Sequence, residues 1–226
     1  MKKIILAAIM LVTCTGLGAQ EIKTENLGDF NKISVSGKLN VTLENTGSSS
    51  MEIVLHNTDI SKLEWSIKNG VLSVRLKPTT QKDSSADVKI SYKNLNEISV
   101  IGAKAGFKDV VDNGIFSASV SNGGSLRLEV ATKDVTIKAD GNSALMIAGE
   151  TDYLDIEANM KSKADARDLT AKSATAKARN GAEIFVNGTD KLDAVSGTSS
   201  AIYYKGDPEV LKMKTRMMGV IEQYSL

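Results

Sequence analysis

Apolar residues in this chain recur at every second position, and the alternating runs themselves recur about every twenty residues. Phe116-Ala118-Val120 is one such triplet, followed by Val135-Ile137-Ala139, Leu154-Ile156-Ala158 and Ala174-Ala176-Ala178. Asn122, Gly141 and Asn180 stand two positions after three of the triplets, and Met160 fills the slot after the other. Gly102 and Gly197 extend the series, with spacings of 20, 19, 19, 20 and 17. A second alternating pair lies four and six residues past each slot: Leu126/Leu128, Leu145/Ile147, Ala164/Ala166, Ile184/Val186 and Ala201/Tyr203. Gly149 and Gly188 close two of these segments.

Period two is the signature of a strand with one buried face, and a fixed period near twenty with two strands per period is that of a solenoid. One coil is too thin to bury anything alone, so the coils must stack like residue over like residue. Six coils at strand spacing would stand about 25–30 Å tall. Small inward Ala suits a narrow interior, and Gly or Asn at the corners suits a chain that turns sharply with positive φ.

The stretch Ala158–Arg179 is the one place where another reading competes. It is rich in Ala and Lys, which are strong helix formers. Taken alone it fits helix and strand equally. Ala164-Ala166 and Ala174-Ala176-Ala178 fall in register with the other copies, and in register the segment reads as strand. Leu192-Ala194 is one residue out of phase, as a bulge would make it.

Residues 27–98 are different in kind. Leu63-Trp65-Ile67, Asn69-Gly70 and Leu72-Val74-Leu76 form a hairpin pattern, with Asn-Gly at the turn. That turn opposes Ile67 to Leu72, Trp65 to Val74 and Leu63 to Leu76, which makes the single Trp a core or capping residue. An antiparallel N-terminal portion would also cover the open edge of the solenoid, where unpaired strands invite aggregation. The fold class expected is all-β: a single-stranded parallel β-helix of about 19–20 residues per coil with an N-terminal antiparallel hairpin portion.

The first nineteen residues read as an address. Lys2 and Lys3 precede a short apolar run, Ile4–Val12, and Gly16, Gly18 and Ala19 stand before Gln20. This is the pattern of a secretory signal peptide, residues 1–19, cut after Ala19. The rival is a lipoprotein signal with Leu11-Val12-Thr13-Cys14 as the acylation box, for which Thr13 is atypical. Cleavage after Ala19 leaves residues 20–226 as one exported domain without a thiol, carrying 26 basic and 27 acidic residues once Lys2 and Lys3 leave.

Composition narrows the function classes. A formal net charge of +1 lacks the electrostatic footprint of a general nucleic-acid binder. One Cys and one His exclude structural zinc, a disulfide framework and a Cys/His nucleophile. His56, beyond Ile53-Val54-Leu55, has no nucleophile near it in sequence and reads as a surface or loop residue. Asp109/Asp112, Asp152/Asp155 and Asp165/Asp168 are acid pairs of the kind a glycosidase uses at about 5–9.5 Å. Each lies near Lys or Arg, as Arg167 does beside Asp168, so a solvated face of mixed charge is the expected reading. Phe107, Phe116, Phe185 and Trp65 fit inward positions, which leaves Tyr92, Tyr153, Tyr203, Tyr204 and Tyr224 as the aromatics available to a ligand.

Several strings carry a family resemblance. They are Phe30-Asn31-Lys32-Ile33-Ser34-Val35-Ser36-Gly37, Gly70-Val71-Leu72-Ser73-Val74, and the closing Tyr204-Lys205-Gly206-Asp207-Pro208. Over residues 28 to about 210 the chain resembles the head GIN domain family, grouped with autotransporter adhesins and common in Bacteroidetes. The resemblance implies an all-β, β-helical fold and an exported location, and it brings no catalytic motif. The family's Ser-Gly-Ser-Gly turns are replaced here by Asn122-Gly123-Gly124, Gly141-Asn142-Ser143 and Met160-Lys161-Ser162.

The expected function is therefore that of an exported, non-catalytic, adhesin-like module, without metal or cofactor, facing a protein or glycan at the cell envelope. The alternative is a carbohydrate-active β-helix enzyme, a lyase or hydrolase. The residues of the binding face and the oligomeric state are not legible in the sequence.

Overall fold

A computed structural model describes residues 22–224. The expected signal peptide and Cys14 lie outside the described residues. The described chain is almost entirely strand: β1 (Ile22–Asn26), β2 (Lys32–Ser36), β3 (Leu39–Asn45), β4 (Ser50–His56), β5 (Leu63–Lys68), β6 (Val71–Leu76), β7 (Ser85–Tyr92), β8 (Glu97–Ile101), β9 (Lys104–Phe107), β10 (Ile115–Ser121), β11 (Ser125–Ala139), β12 (Ala144–Ala158), β13 (Lys163–Ala178), β14 (Glu183–Gly197), β15 (Ala201–Lys205), β16 (Val210–Arg216) and β17 (Val220–Gln223). One short 3₁₀ turn, Ile60–Lys62, interrupts them.

The strands form two parallel stacks facing each other across a narrow core. Strands β11 to β14 each run along one side, bend at a corner, and run back along the other. The bend falls at Lys133 in β11 and Asp152 in β12, between the paired stretches on the two sides. The first stack runs β5–β6–β2–β8–β10, then the second halves of β11 to β14, then β16. The second runs β1–β4–β7–β3–β9, then the first halves of β11 to β14, then β15 and β17. From β8 onward the chain makes seven successive turns, one more than the sequence spacing suggested. The additional turn is β16–β17, beyond the last legible copy.

Inward columns run through the stack in perfect register. One reads Ile67–Leu72–Ile33–Ile98–Ala118–Ile137–Ile156–Ala176–Ala194–Met213. Ile33, Ile98, Ile137, Ile156, Ala176 and Ala194 are at most 1% exposed. The Ala-rich segment 158–179 is strand, as its register required. Its Ala side chains sit against Leu154, Ile156 and Leu192, which supply the bulk that it lacks. Tertiary pairing overrides helix propensity here because each Ala buries its methyl in a column that a helix would break.

The corners are two-residue left-handed turns. Asn122-Gly123, Gly141-Asn142, Met160-Lys161, Asn180-Gly181, Thr198-Ser199 and Met217-Met218 all have positive φ. The amide of Gly124 donates to Ser121 O at 3.0 Å across the first of them, closing a turn with two left-handed central residues. Hydroxyls behind the corners tie each coil to the one before: Ser143 donates to Val120 O, Ser162 to Ala139 O, and Ser200 to Ala178 O. Gly149 has φ +110°, and a Cβ there would lie 2.0 Å from Val130 O, so only glycine lets these coils approach.

Three sequence expectations need correction. The corner expected at Gly197 begins at Thr198 instead, because Ser196 still occupies an inward position, fully buried and bonded to Ser200. The inward pair after it is therefore Ile202 and Tyr204, not Ala201 and Tyr203. The phase slip at Leu192 reflects shortening at Val186-Asn187, where Arg167–Leu169 of β13 have no counterpart in β14, partly offset by one additional residue at Thr189-Asp190. Finally, residues 27–98 supply parallel rungs of the solenoid beside the expected antiparallel portion. β2–β3 and β6–β7 are parallel rungs, with β2 lying between β6 and β8. Among the described residues only the pairings β1–β4, β4–β7 and β5–β6 are antiparallel, and they lie at the N-terminal end. The hairpin opposes Ile67 to Leu72, Trp65 to Val74 and Leu63 to Leu76, as its turn chemistry required.

Candidate interaction surface

The acid pairs singled out in the sequence serve the scaffold. Asp152 sits at the bend of β12 and holds Lys172 of the next coil at 2.6 Å. Asp155 faces out of the first stack, between Thr136 and Thr175. Asp109 accepts from the Asn45 amide at 2.8 Å, and Asp112 is exposed on the loop that follows. His56 ends β4 with its Nε2 2.8 Å from Asp87, which also accepts from Asn40 at 2.7 Å. Hydrogen bonds from Asn40 and His56 keep the Asp87 carboxyl below its ordinary pKa. Asp29 is lowered by Lys93, Glu44 by Lys89 and Asp59 by the Ser61 amide. These shifts favour ionised carboxylates, the opposite of what a general acid needs at neutral pH. Among the described residues no group of three or more His, Cys, Asp or Glu is placed to hold a metal ion.

Asp165 and Asp168 lie in a different setting. Where Met146 and Ala148 of β12 face β13, the latter carries one extra residue, and the ladder shifts from Asp165 to Asp168. An extra residue re-aims the side chains beside it. Arg167 turns back so that its Nε is 2.7 Å from Asp165 Oδ1, and its guanidinium lies 4.3 Å from the Phe185 ring centre. Lys163 Nζ lies 4.7 Å from the same ring. Phe185 stacks on Tyr203 of the next rung, centroids 5.0 Å apart and planes 25° apart. Tyr224 meets the Phe185 ring edge-on at 6.0 Å. The Tyr224 hydroxyl is buried without a hydrogen-bond partner among the described residues, and burial raises its pKa against the pull of Arg167.

The cluster corrects one expectation. Phe185 faces outward, because its neighbours Ile184 and Val186 are both fully buried and successive residues of a strand alternate. Of the tyrosines set aside for a ligand, Tyr92 and Tyr204 are buried, Tyr153 is 54% exposed, and Tyr203 and Tyr224 join the cluster. The rings of Phe185 and Tyr203 stack rung on rung, with Tyr224 edge-on to Phe185. With a guanidinium, an ammonium and two carboxylates around them, they form an amphipathic patch on a flat sheet. Such a patch suits contact with an extended polar surface.

Comparison with known proteins agrees on the architecture. The family model described as "Putative auto-transporter adhesin, head GIN domain" matches residues 29–208. A crystal structure from Bacteroides fragilis, described as a "putative adhesin", superposes with a TM-score of 0.82 at 16% identity, covering 90% of this chain and 96% of that one. One from Parabacteroides distasonis, described as a "Putative lipid binding protein", gives 0.70 at 18% identity, covering 91% and 96%. Another "putative adhesin", from Parabacteroides merdae, gives 0.68 at 19%, again covering 91% and 96%. At these identities the likeness is one of fold. A search of curated proteins returns no match.

Proposed function

The chain belongs to the auto-transporter adhesin head GIN domain family, and from that premise we propose that it is an exported, non-catalytic, adhesin-like module whose solenoid face meets a protein or glycan partner. The observation that carries this reading is the outward cluster of Phe185, Tyr203, Tyr224, Arg167 and Lys163 on the second stack. Aromatic and Arg side chains are the residue types that dominate binding energy at interfaces. The broad, flat sheet around them offers many weak contacts, the mode of repeat-protein binders.

The alternative, a carbohydrate-active enzyme, requires a carboxyl group held protonated near neutral pH. Asp165, the one buried aspartate, is instead paired with Arg167. Glycan and protein arrays run beside a polysaccharide turnover panel test the two readings. Binding that falls about tenfold or more in Phe185→Ala, with no turnover, supports the module. Turnover that disappears on replacing Asp152, Asp155, Asp165 or Asp168 overturns it. Mass spectrometry of exported protein should find the mature N-terminus at or near Gln20, and an acylated Cys14 would replace that export route with a lipoprotein anchor.

A further inference from the structure

The two ends of the solenoid are finished differently. At the N-terminal end β4 and β5 run antiparallel to the stack and β1 pairs antiparallel with β4, and Met51 and Ile53 of β4 and Leu63 of β5 are at most 4% exposed. At the C-terminal end the last described rung, β16 and β17, has no strand beyond it among the described residues. β16 pairs with β14 on one side and, among the described residues, with nothing on the other. All seven of its residues are exposed. Its inward-column residues Leu211 and Met213 are 38% and 53% exposed, and Met217 and Met218 at the adjoining corner 76% and 83%.

The outward positions of the same strand are Lys212, Lys214 and Arg216, and none of them forms an ion pair among the described residues. This charge pattern decides what the edge can accept. A second copy would pair edge to edge about a two-fold axis, antiparallel, with inward residues opposite inward residues. Every such register that overlaps most of the strand sets Lys212, Lys214 or Arg216 opposite one another, and like charges directly opposite are destabilising. Basic side chains on an edge thus block self-pairing, a recognised protection of open sheets. They also select a partner of opposite sign.

We propose that β16 is an acceptor edge for an extended segment of a different polypeptide, with acidic residues at alternate positions and apolar residues between them. The segment's backbone would complete the free hydrogen bonds of β16, the strand-addition mode of recognition. Its apolar side chains would cover Leu211 and Met213, and its carboxylates would face Lys212, Lys214 and Arg216. The flexible methionines at the corner can adapt to differing apolar contacts. This edge is separate from the outward cluster on the second stack, so the proposal stands whether or not that cluster binds anything.

The test uses the whole exported chain and two synthetic peptides of about seven residues, one alternating Val and Glu, the other Val and Lys. Binding is read by fluorescence anisotropy and by hydrogen exchange of the β16 amides. The Val/Glu peptide should bind, slow exchange in Lys212–Arg216, and weaken as salt rises from about 0.05 to about 0.5 M. The triple variant Lys212→Glu/Lys214→Glu/Arg216→Glu changes only exposed side chains. It should lose the acidic peptide by about tenfold or more, three cross-strand pairs being removed, and gain the Val/Lys peptide. Phe185→Ala should leave peptide binding unchanged. Failure of the acidic peptide to bind, equal binding by the charge-reversed variant, or self-association of the wild-type chain that itself protects β16 would each overturn the proposal.

Discussion

Ile137 and Met213 stand in the same inward column, four rungs apart, yet one is fully buried and the other is 53% exposed. Both are apolar, and both come from an alternating strand. What separates them is whether another rung lies beyond. In a solenoid a residue is buried by its neighbours along the axis, so each position owes its environment to the coil on either side. Among the described residues the N-terminal end has antiparallel strands as its last neighbours, and β16 at the C-terminal end has no strand beyond it. The neighbouring inward column also changes in kind along the way. Trp65, Val74, Val35, Val100 and Val120 give way to Ala139, Ala158 and Ala178, then to Ser196 and Thr215.

The sharpest way to break this comparison is to place the same charge at both sites. Ile137→Asp buries an unpaired carboxylate between Ala118 and Ile156 and should cost at least about 4 kcal/mol, preventing soluble folding. Met213→Asp should change stability by only about 0.5 kcal/mol, as expected of an exposed site. Thermal melts of the two variants decide it. Near-equal effects would mean that the last rung is packed in solution and that the two ends do not differ.

A smaller effect separates the halves by pH. Tyr92, 2% exposed beside Phe107 in the N-terminal half, has its phenol pushed up to about 12 by burial and by the charge of Asp109. A raised folded-state pKa gives stability that is complete below the unfolded value near 10 and is lost as pH rises toward the folded value. Stability should therefore fall between about pH 10 and 12 in the native chain, and this alkaline limb should flatten in Tyr92→Phe. A melting curve against pH that is the same in both proteins would show that Tyr92 ionises freely in the folded state.

The regular part of this architecture was legible because its signal is redundant. Ala164 and Ala166 say little alone, but their register with Leu145, Ile147, Ile184 and Val186 fixes them as inward. The outward position of Phe185 was legible too, since Ile184 and Val186 on either side were already inward, and only the habit of burying aromatics pointed the other way. Other features were hidden for physical reasons. β2 lies between β6 and β8 because partner choice among short, alternating, aliphatic strands depends on three-dimensional closure, of which period two carries no trace. The extra residue in β13 was equally silent, and with it the turn of Arg167 onto Asp165 and Phe185. The bare C-terminal edge was missed because Leu211 and Met213 look inward by pattern, and pattern does not say whether a further rung exists.

The smallest expected effect compares corners at the two regions. Met160 and Met217 each hold positive φ, 52° and 47°, at the slot that Asn122, Gly141 and Asn180 fill in three other corners and Thr198 in a fourth. A non-glycine side chain in this region carries a cost of order 1 kcal/mol, and glycine relieves it while adding unfolded-state entropy of opposite sign. The two contributions nearly cancel, so Met160→Gly should move stability by no more than about 0.5 kcal/mol, and Met160→Asn, which tolerates the conformation without glycine's entropy, should stabilise slightly. At Met217 the same exchange to Asn relieves the same strain at a corner with no rung beyond it, so its benefit should be spent on fraying of β16–β17 rather than on the whole fold. Hydrogen exchange separates the outcomes: Met160→Asn should slow exchange across β12 and β13, and Met217→Asn only in β16 and β17. Protection that spreads from Met217→Asn through the central coils would mean that the last rung unfolds with the rest of the stack and is not an independently opening edge.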